Sequence, residues 1–270
     1  LAIYRRLYGA EHQTIASTMD DLGDIYTHQG AFDQARQLLN DALAMQHRLL
    51  GERHADIAKS LYQLARLWDA EGDAKQAELL YRDALAIRIE LLGPEHPTTA
   101  LNLMGLAGVL LGKHRFTEAI ECLERALGPL RKLYGPESRR VADVLERLAT
   151  TYQGIRQLDE AESYFLELMA IQTKLHGAES QAVAGTLNRL GLVRWEKHDN
   201  EAAAATLRQS IDLWKKLAGD EVPDLPTELN NLGNVLFDLG RIDEAEEAVR
   251  ESLQHLRRSS ERDESSRRAA

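Results

Sequence analysis

The chain of 270 residues holds a single cysteine, Cys122, which excludes an internal disulfide framework and any zinc site built from several thiolates. It has no apolar run long enough to cross a bilayer and no recognisable signal peptide, so no membrane partner and a reducing, cytoplasmic setting are expected. Basic residues are in the minority, 33 Lys and Arg against 43 Asp and Glu, and the formal net charge is −10. Nucleic-acid affinity comes mostly from Lys and Arg neutralising phosphates, so a nucleic-acid partner is not expected. No strand pattern is found, and hence no glycine-rich phosphate loop following a strand. The nine histidines lack metal-ligand spacing on any one helix face. His12, His54 and His96 recur in linkers and read as loop or N-cap hydrogen-bonding groups. Cys122 shares a column with Leu38, Leu80 and Tyr164 and reads as a buried structural thiol. No catalytic, cofactor or metal site is assigned, and the chain is not expected to be an enzyme.

What the chain does have is a period. Gly9, Gly51, Gly93, Gly135, Gly177 and Gly219 stand 42 residues apart without a slip, although only 18 residues are glycine. Leu7, Leu49, Leu91, Leu133, Leu175 and Leu217 precede them by two positions. An alanine column (Ala35, Ala77, Ala119, Ala161, Ala203, Ala245) and a second leucine column (Leu22, Leu64, Leu106, Leu148, Leu190, Leu232) keep the same spacing. Self-similarity at this length means stacked structural units. With 44% apolar and 28% charged residues, the array can bury a continuous core and still solvate its surface.

One unit shows the local logic. Ile57, Ala58, Leu61, Leu64, Ala65 and Trp68 follow a helical stripe, Glu71-Gly72-Asp73 breaks it, and Ala77, Leu80, Tyr81, Ala84, Leu85, Ile87, Leu91 and Leu92 form a second stripe. Gly93 then sits where a helix takes a left-handed C-cap. Pro97 and Pro223 suit a first helical turn, and Ser138 and Ser180 suit N-caps. The alanine column lets the second helix approach the first closely, and the position after the Leu22 column is always small: Gly23, Ala65, Ala107, Ala149, Gly191, Gly233. The spacing gives a half unit over 1–13, then helix pairs over 14–55, 56–97, 98–139, 140–181, 182–223 and 224–258, with a disordered polar tail at 259–270. The first helix of the third pair, with Gly105, Gly108 and Gly112, is the expected soft point. Because the chain starts at Leu1 inside a second helix, it reads as a fragment of a larger protein.

Leu64, Ala65, Trp68, Ala77, Tyr81 and Ala84, with their counterparts in each unit, make the pattern resemble the tetratricopeptide repeat. The 42-residue length, the linker Leu91 to Pro97 and the run Leu229 to Gly233 resemble the long variant of kinesin light chains and bacterial multidomain signalling proteins. The resemblance implies an all-α, right-handed superhelical solenoid of antiparallel helix pairs. It also implies a concave groove lined by the first helix of each pair. Carried over position by position, that groove holds Asp20, Asp21, Asp24 and Thr27 in the first unit, Lys59, Tyr62, Gln63 and Arg66 in the second, and Leu101, Met104, Gly105, Gly108 and Leu111 in the third. In the later units it holds Glu146, Arg147, Thr150 and Gln153, then Asn188, Arg189, Leu192 and Trp195, then Asn230, Asn231, Asn234 and Phe237. The binding surface expected from these is Tyr62, Arg66, Met104, Arg147, Asn188, Arg189, Trp195, Asn230, Asn231, Asn234 and Phe237. The asparagines can donate to and accept from a peptide backbone, the aromatics can anchor side chains, and the glycine-lined third unit leaves its backbone open to a bulky group. The implied function is a non-catalytic module that binds an extended peptide or partner domain. A regulatory segment of a kinase or ATPase, and a scaffold that self-associates through uncapped ends, are the alternatives.

Overall fold

The computed structural model of the chain describes residues 2–218 and 225–269. Every regular element among them is an α-helix. A short α1 (Ala2–Tyr8) is followed by the pairs α2 (Gln13–His28) and α3 (Phe32–Leu50), α4 (Ala55–Glu71) and α5 (Ala74–Leu92), and α6 (Pro97–Gly112) and α7 (Phe116–Tyr134). These make up one compact unit, residues 1–136. The second unit, residues 137–270, holds α8 (Arg139–Gly154) and α9 (Leu158–His176), α10 (Gln181–Glu196) and α11 (Asn200–Ala218), and α12 (Leu225–Asp238) and α13 (Ile242–Ala269). Gly219 and Pro223 lie outside the described residues.

Helix starts are fixed by side chains. His12, His54 and His96 are N-caps, and their Nδ1 atoms accept from the backbone N–H of Thr14, Asp56 and Thr98 at 3.1, 3.2 and 3.2 Å. Ser180 accepts from Val183 N–H at 3.4 Å, and Pro97 opens α6. Ser138 also stands at an N-cap but makes no capping bond through its side chain. The linker glycines differ from the expected left-handed cap. Gly51, Gly93, Gly135 and Gly177 have φ of 81–86° but ψ of −161°, 164°, 152° and 158°. That extended mirror region is open essentially to glycine alone, so the stop is more exclusive than a cap that asparagine could also fill.

The two helices of a pair approach closely because small residues meet large ones. Ala35, Ala77, Ala119, Ala161 and Ala203 are fully buried. A Cβ on Gly23 would stand 2.6 Å from Cγ of Leu39, and one on Gly191 would stand 2.7 Å from Cγ of Leu207. Cys122 is buried as expected, and burial pushes its thiol up, away from nucleophilic use. The polar segment beyond 258 lies within α13, which runs to Ala269.

At four joints, two in each unit, neighbouring pairs meet through a buried or part-buried polar couple spaced fourteen residues along the chain, from a second helix to the next first helix. Ser60 and Gln46 are 2.7 Å apart, Arg88 and Asn102 3.4 Å, Thr186 and Gln172 2.7 Å, and Trp214 Nε1 donates to Glu228 at 2.9 Å. Outside these run exposed rungs from each linker to the end of the following second helix. They are Glu11 with Arg48, Glu95 with Lys132, Glu137 with Lys174 and Glu179 with Lys216. In the second pair both signs are reversed, as Arg53 with Glu90. Each exposed rung contributes about 1 kcal/mol or less, but the matched reversal marks the pairing as specific.

A stronger network surrounds Glu78, which meets Arg82 at 3.0 Å, Lys113 at 2.5 Å and Arg115 at 2.6 Å. Burial alone would raise its carboxyl, but the three cationic hydrogen bonds outweigh that and hold it at about 2.

Leu106, Leu148 and Leu190 are buried as the register requires. Leu148→Ala should therefore cost about 2–5 kcal/mol in chemical denaturation. Glu78, lowered from 4.5 to about 2, should add stability that is complete above pH 4.5 and lost as pH falls through 2. Denaturation midpoints taken across that window should show the loss in the wild type and a much flatter profile in Glu78→Gln.

Candidate functional site

The first helices carry the expected site residues, and the two units are best taken separately. In the first unit α4 presents Tyr62 and Arg66, and α6 presents Met104. Tyr62 is half-buried, with the Arg88 guanidinium 4.7 Å over its ring and Tyr81 edge-on at 5.6 Å. Arg66 reaches back to the preceding pair, with Nη1 2.5 Å from Asp24 Oδ1 and Nη2 3.0 Å from His28 Nε2. Arg66 thus ties its repeat to the preceding one, which the single-repeat pattern does not reveal, while Tyr62 is packed against the second helix of its own pair. Met104 is half-buried, and beside it the open backbone expected at Gly105 is filled. A Cβ there would fall 2.6 Å from Tyr81 Cε1, so the glycine makes room for an internal ring. This packing, with Asn102 Nδ2 donating to the Tyr81 carbonyl at 2.8 Å, supports the helix expected to be soft.

The first-unit groove positions on α2 also need correction. Asp20 is fully buried, and Thr27 is buried with its hydroxyl donating to the Gly23 carbonyl at 2.9 Å. Asp21 and Asp24 remain at the surface and are paired with Lys59 and Arg66 of the next repeat, at 2.7 and 2.5 Å. That first-helix face is self-satisfied.

The second unit differs. Arg147 of α8 and Arg189 of α10 are exposed, and Arg189 lies 4.0 Å from Glu146. Asn188 of α10 is half-buried, and its Oδ1 has no hydrogen-bond partner among the described residues. Leaving a buried acceptor unpaired costs about 1–3 kcal/mol, a cost that turning the carboxamide outward to meet a ligand N–H would relieve. On α12, Asn230 and Asn234 are exposed and Asn231 is half-buried. Phe237, one turn further on, is 64% exposed. An open depression of about 390 Å³ between α12 and α13 is lined by Asn234, Phe237, Ile242, Ala245 and Val249. Trp195 is half-buried, and its indole Nε1 donates to Asp238 Oδ2 on the next repeat at 2.7 Å. Asp238 was not among the expected site residues. The signal for it was present, because Trp195 and Asp238 are offset by one period plus one residue, as are Gln153 and Glu196, which meet at 2.6 Å.

Among the described residues no cluster of histidine, cysteine and acidic side chains could hold a metal ion, and no helix is long and apolar enough to cross a membrane. The architecture is an all-α array of paired helices presenting side chains along first-helix faces. The tetratricopeptide repeat pattern matches residues 1–46, 14–90, 70–132, 98–173 and 140–216, and a second pattern of that family matches 229–263. The chain belongs to the tetratricopeptide-repeat family, whose arrays are themselves non-catalytic and generally bind proteins.

Within that family it is structurally close to kinesin-light-chain-like repeat proteins. The nearly identical TPR-like repeats of a kinesin-light-chain-like protein of Podosopora anserina share 25% identity with it at a TM-score of 0.67, covering 77% of this chain and 99% of that one. BtubC (BKLC) of P. vanneervenii shares 24% identity at 0.65, covering 89% and 92%. Pseudomonas aeruginosa pilF shares 19% at 0.61, covering 91% of each. No curated protein matches the chain.

Asp238→Ala should shift the Trp195 indole N–H resonance in a nitrogen–proton spectrum and leave those of Trp68 and Trp214 in place. An unmoved Trp195 signal would show that the indole is not held by Asp238.

Proposed function

We propose that this chain is a non-catalytic protein-interaction module that takes an extended peptide, or an extended segment of a partner domain, on the first-helix face of its second unit. The observation that carries this reading is the contrast between the two units. Asp24 and Arg66 pair across repeats and Tyr62 is covered by Arg88 and Tyr81 of its own pair, whereas Asn188 holds an unpaired acceptor and Asn230, Asn234 and Phe237 face solvent. An asparagine carboxamide both donates and accepts, so it can grip a peptide backbone without reading its side chains. Asn188 and Asn230 stand one period apart on adjacent first helices, a placement that supports their joint use along one strand-like ligand. Phe237 and the depression beside it offer an apolar anchor, and the Trp195 indole, with its N–H already used, offers a ring face.

Binding by this surface needs no rearrangement of the array. The scaffold is ordered before the ligand arrives, so the ordering cost falls on the peptide, and affinity comes from a few anchors.

A peptide-array screen should yield a ligand, and the best peptide can be titrated against three variants. Trp195→Ala and Asn230→Ala should weaken binding by about tenfold or more, as loss of an anchor does. Glu160→Ala, an exposed change on the second helix α9, should stay within about twofold of wild type. Equal weakening by all three, with each folded by circular dichroism, would overturn the reading and move attention to second-helix or linker surfaces.

A further inference from the structure

Asp20 of α2 is fully buried at the joint between the first two helix pairs. Gln46 of α3 donates from Nε2 to Asp20 Oδ2 at 2.8 Å, and the Ser60 hydroxyl of α4 lies 2.6 Å from Oδ1. Ser60 Oγ is also 2.7 Å from Gln46 Oε1. The three side chains thus form a closed triangle with three hydrogen-bonding edges, and each edge needs one proton. The serine hydroxyl supplies one. The carboxamide supplies one, because only its nitrogen end donates. Turning the amide over moves that proton to another edge and adds none. With Asp20 ionised, the triangle is one proton short, and two oxygen acceptors face each other in a buried site. With Asp20 protonated, Oδ1–H donates to Ser60, Ser60 donates to Gln46 Oε1, and Gln46 donates to Oδ2.

We propose that Asp20 is a proton-operated latch: its neutral carboxyl closes the triangle and clamps α4 onto the α2–α3 pair, and its ionisation slackens that joint. The charged surroundings do not override this. Asp21 on α2 opposes ionisation and Lys59 on α4 favours it, but these two are paired with each other at 2.7 Å. Asp24 is paired with Arg66 of α4. From α3 the contact is neutral Gln46, while His47 turns to Glu52 at 3.5 Å. Tyr4, Arg6 and Tyr8 of α1 are exposed. Burial is therefore the dominant influence, only partly offset by the hydrogen bonds from Ser60 and Gln46, and it lifts the carboxyl from 3.8 to about 6.

The sign follows. The folded joint binds its proton more tightly than the unfolded chain does, so the contribution is complete below 3.8 and is lost as pH rises through 6. The pairs Asp21–Lys59 and Asp24–Arg66 lie on the first-helix face beside the latch, so the geometry of that face is coupled to pH just below neutrality. This does not depend on whether the second unit binds a peptide.

The test uses the full chain. A carbon-detected carboxyl titration should give Asp20 a midpoint near 6, and hydrogen-exchange protection of α2 and α4, corrected for intrinsic rates, should fall roughly tenfold from pH 5 to 7.5. Asp20→Asn supplies the missing proton from its own amide. Its protection should be independent of pH over that range and exceed wild type at pH 7.5, while Asp21→Asn should keep the wild-type dependence. An Asp20 midpoint in the ordinary carboxylate range, or an Asp20→Asn profile as steep as wild type, would overturn the proposal. Should Asp20→Asn fail to fold, the wild-type carboxyl titration alone decides.

Discussion

The helices of each pair can lie close together only because certain side chains are too small to hold them apart. Wherever Gly23 and Gly191 face Leu39 and Leu207, an added methyl would collide at under 3 Å. This steric constraint sets the interhelix distance, and the leucines that fill the remaining space, among them Leu106, Leu148 and Leu190, fit only at that distance. The 42-residue period is the trace of that constraint in the sequence. The glycine linkers serve the same geometry from outside, since each turns the chain through a backbone conformation closed to other residues and returns it to the start of the next pair.

Contacts between pairs follow a different principle. Within a pair the chemistry is nearly uniform and apolar. Between pairs within each unit, the joints carry polar couples: an amide with a hydroxyl, a guanidinium with an amide, an indole with a carboxylate. Such couples stabilise modestly when satisfied and cost heavily when mismatched, so they specify the neighbour more than they strengthen the stack. The divided chemistry also explains why the two units offer such different surfaces. Where first-helix residues are charged, as at Asp24 and Arg66, they pair across the joint. Where they are asparagine and phenylalanine, as on α12, they remain at the surface.

The fold was legible because a repeated pattern tests itself: a misplaced helix in one unit would be misplaced in all. Helix limits, the alanine column, the histidine caps and the burial of Cys122 all follow from residues that act within one repeat. The surface was less legible because it depends on pairs of repeats. Asp20, Tyr62, Met104, Glu146, Asn188 and Asn230 occupy one column, yet Asp20 is fully buried while Glu146 and Asn230 are exposed. What draws Asp20 inward is Ser60, forty residues away, together with Gln46 on the adjoining helix. Likewise Gly105 reads as exposed backbone until Tyr81 of the preceding pair is placed over it. The linker glycines also show a limit of single-residue reasoning, since a positive φ was readable from glycine but the value of ψ was not.

The reversed rung in the second pair restricts how such a gene could change by recombination. Excising residues 56–97 would remove one whole period and keep every helix in phase, so by pattern alone the shortened chain looks permissible. It would bring Arg53 opposite Lys132, two cations where each parent rung had an ion pair, and would deprive Asp20 of Ser60. Units alike in outline are therefore not interchangeable parts, and their order in the chain is itself under physical constraint.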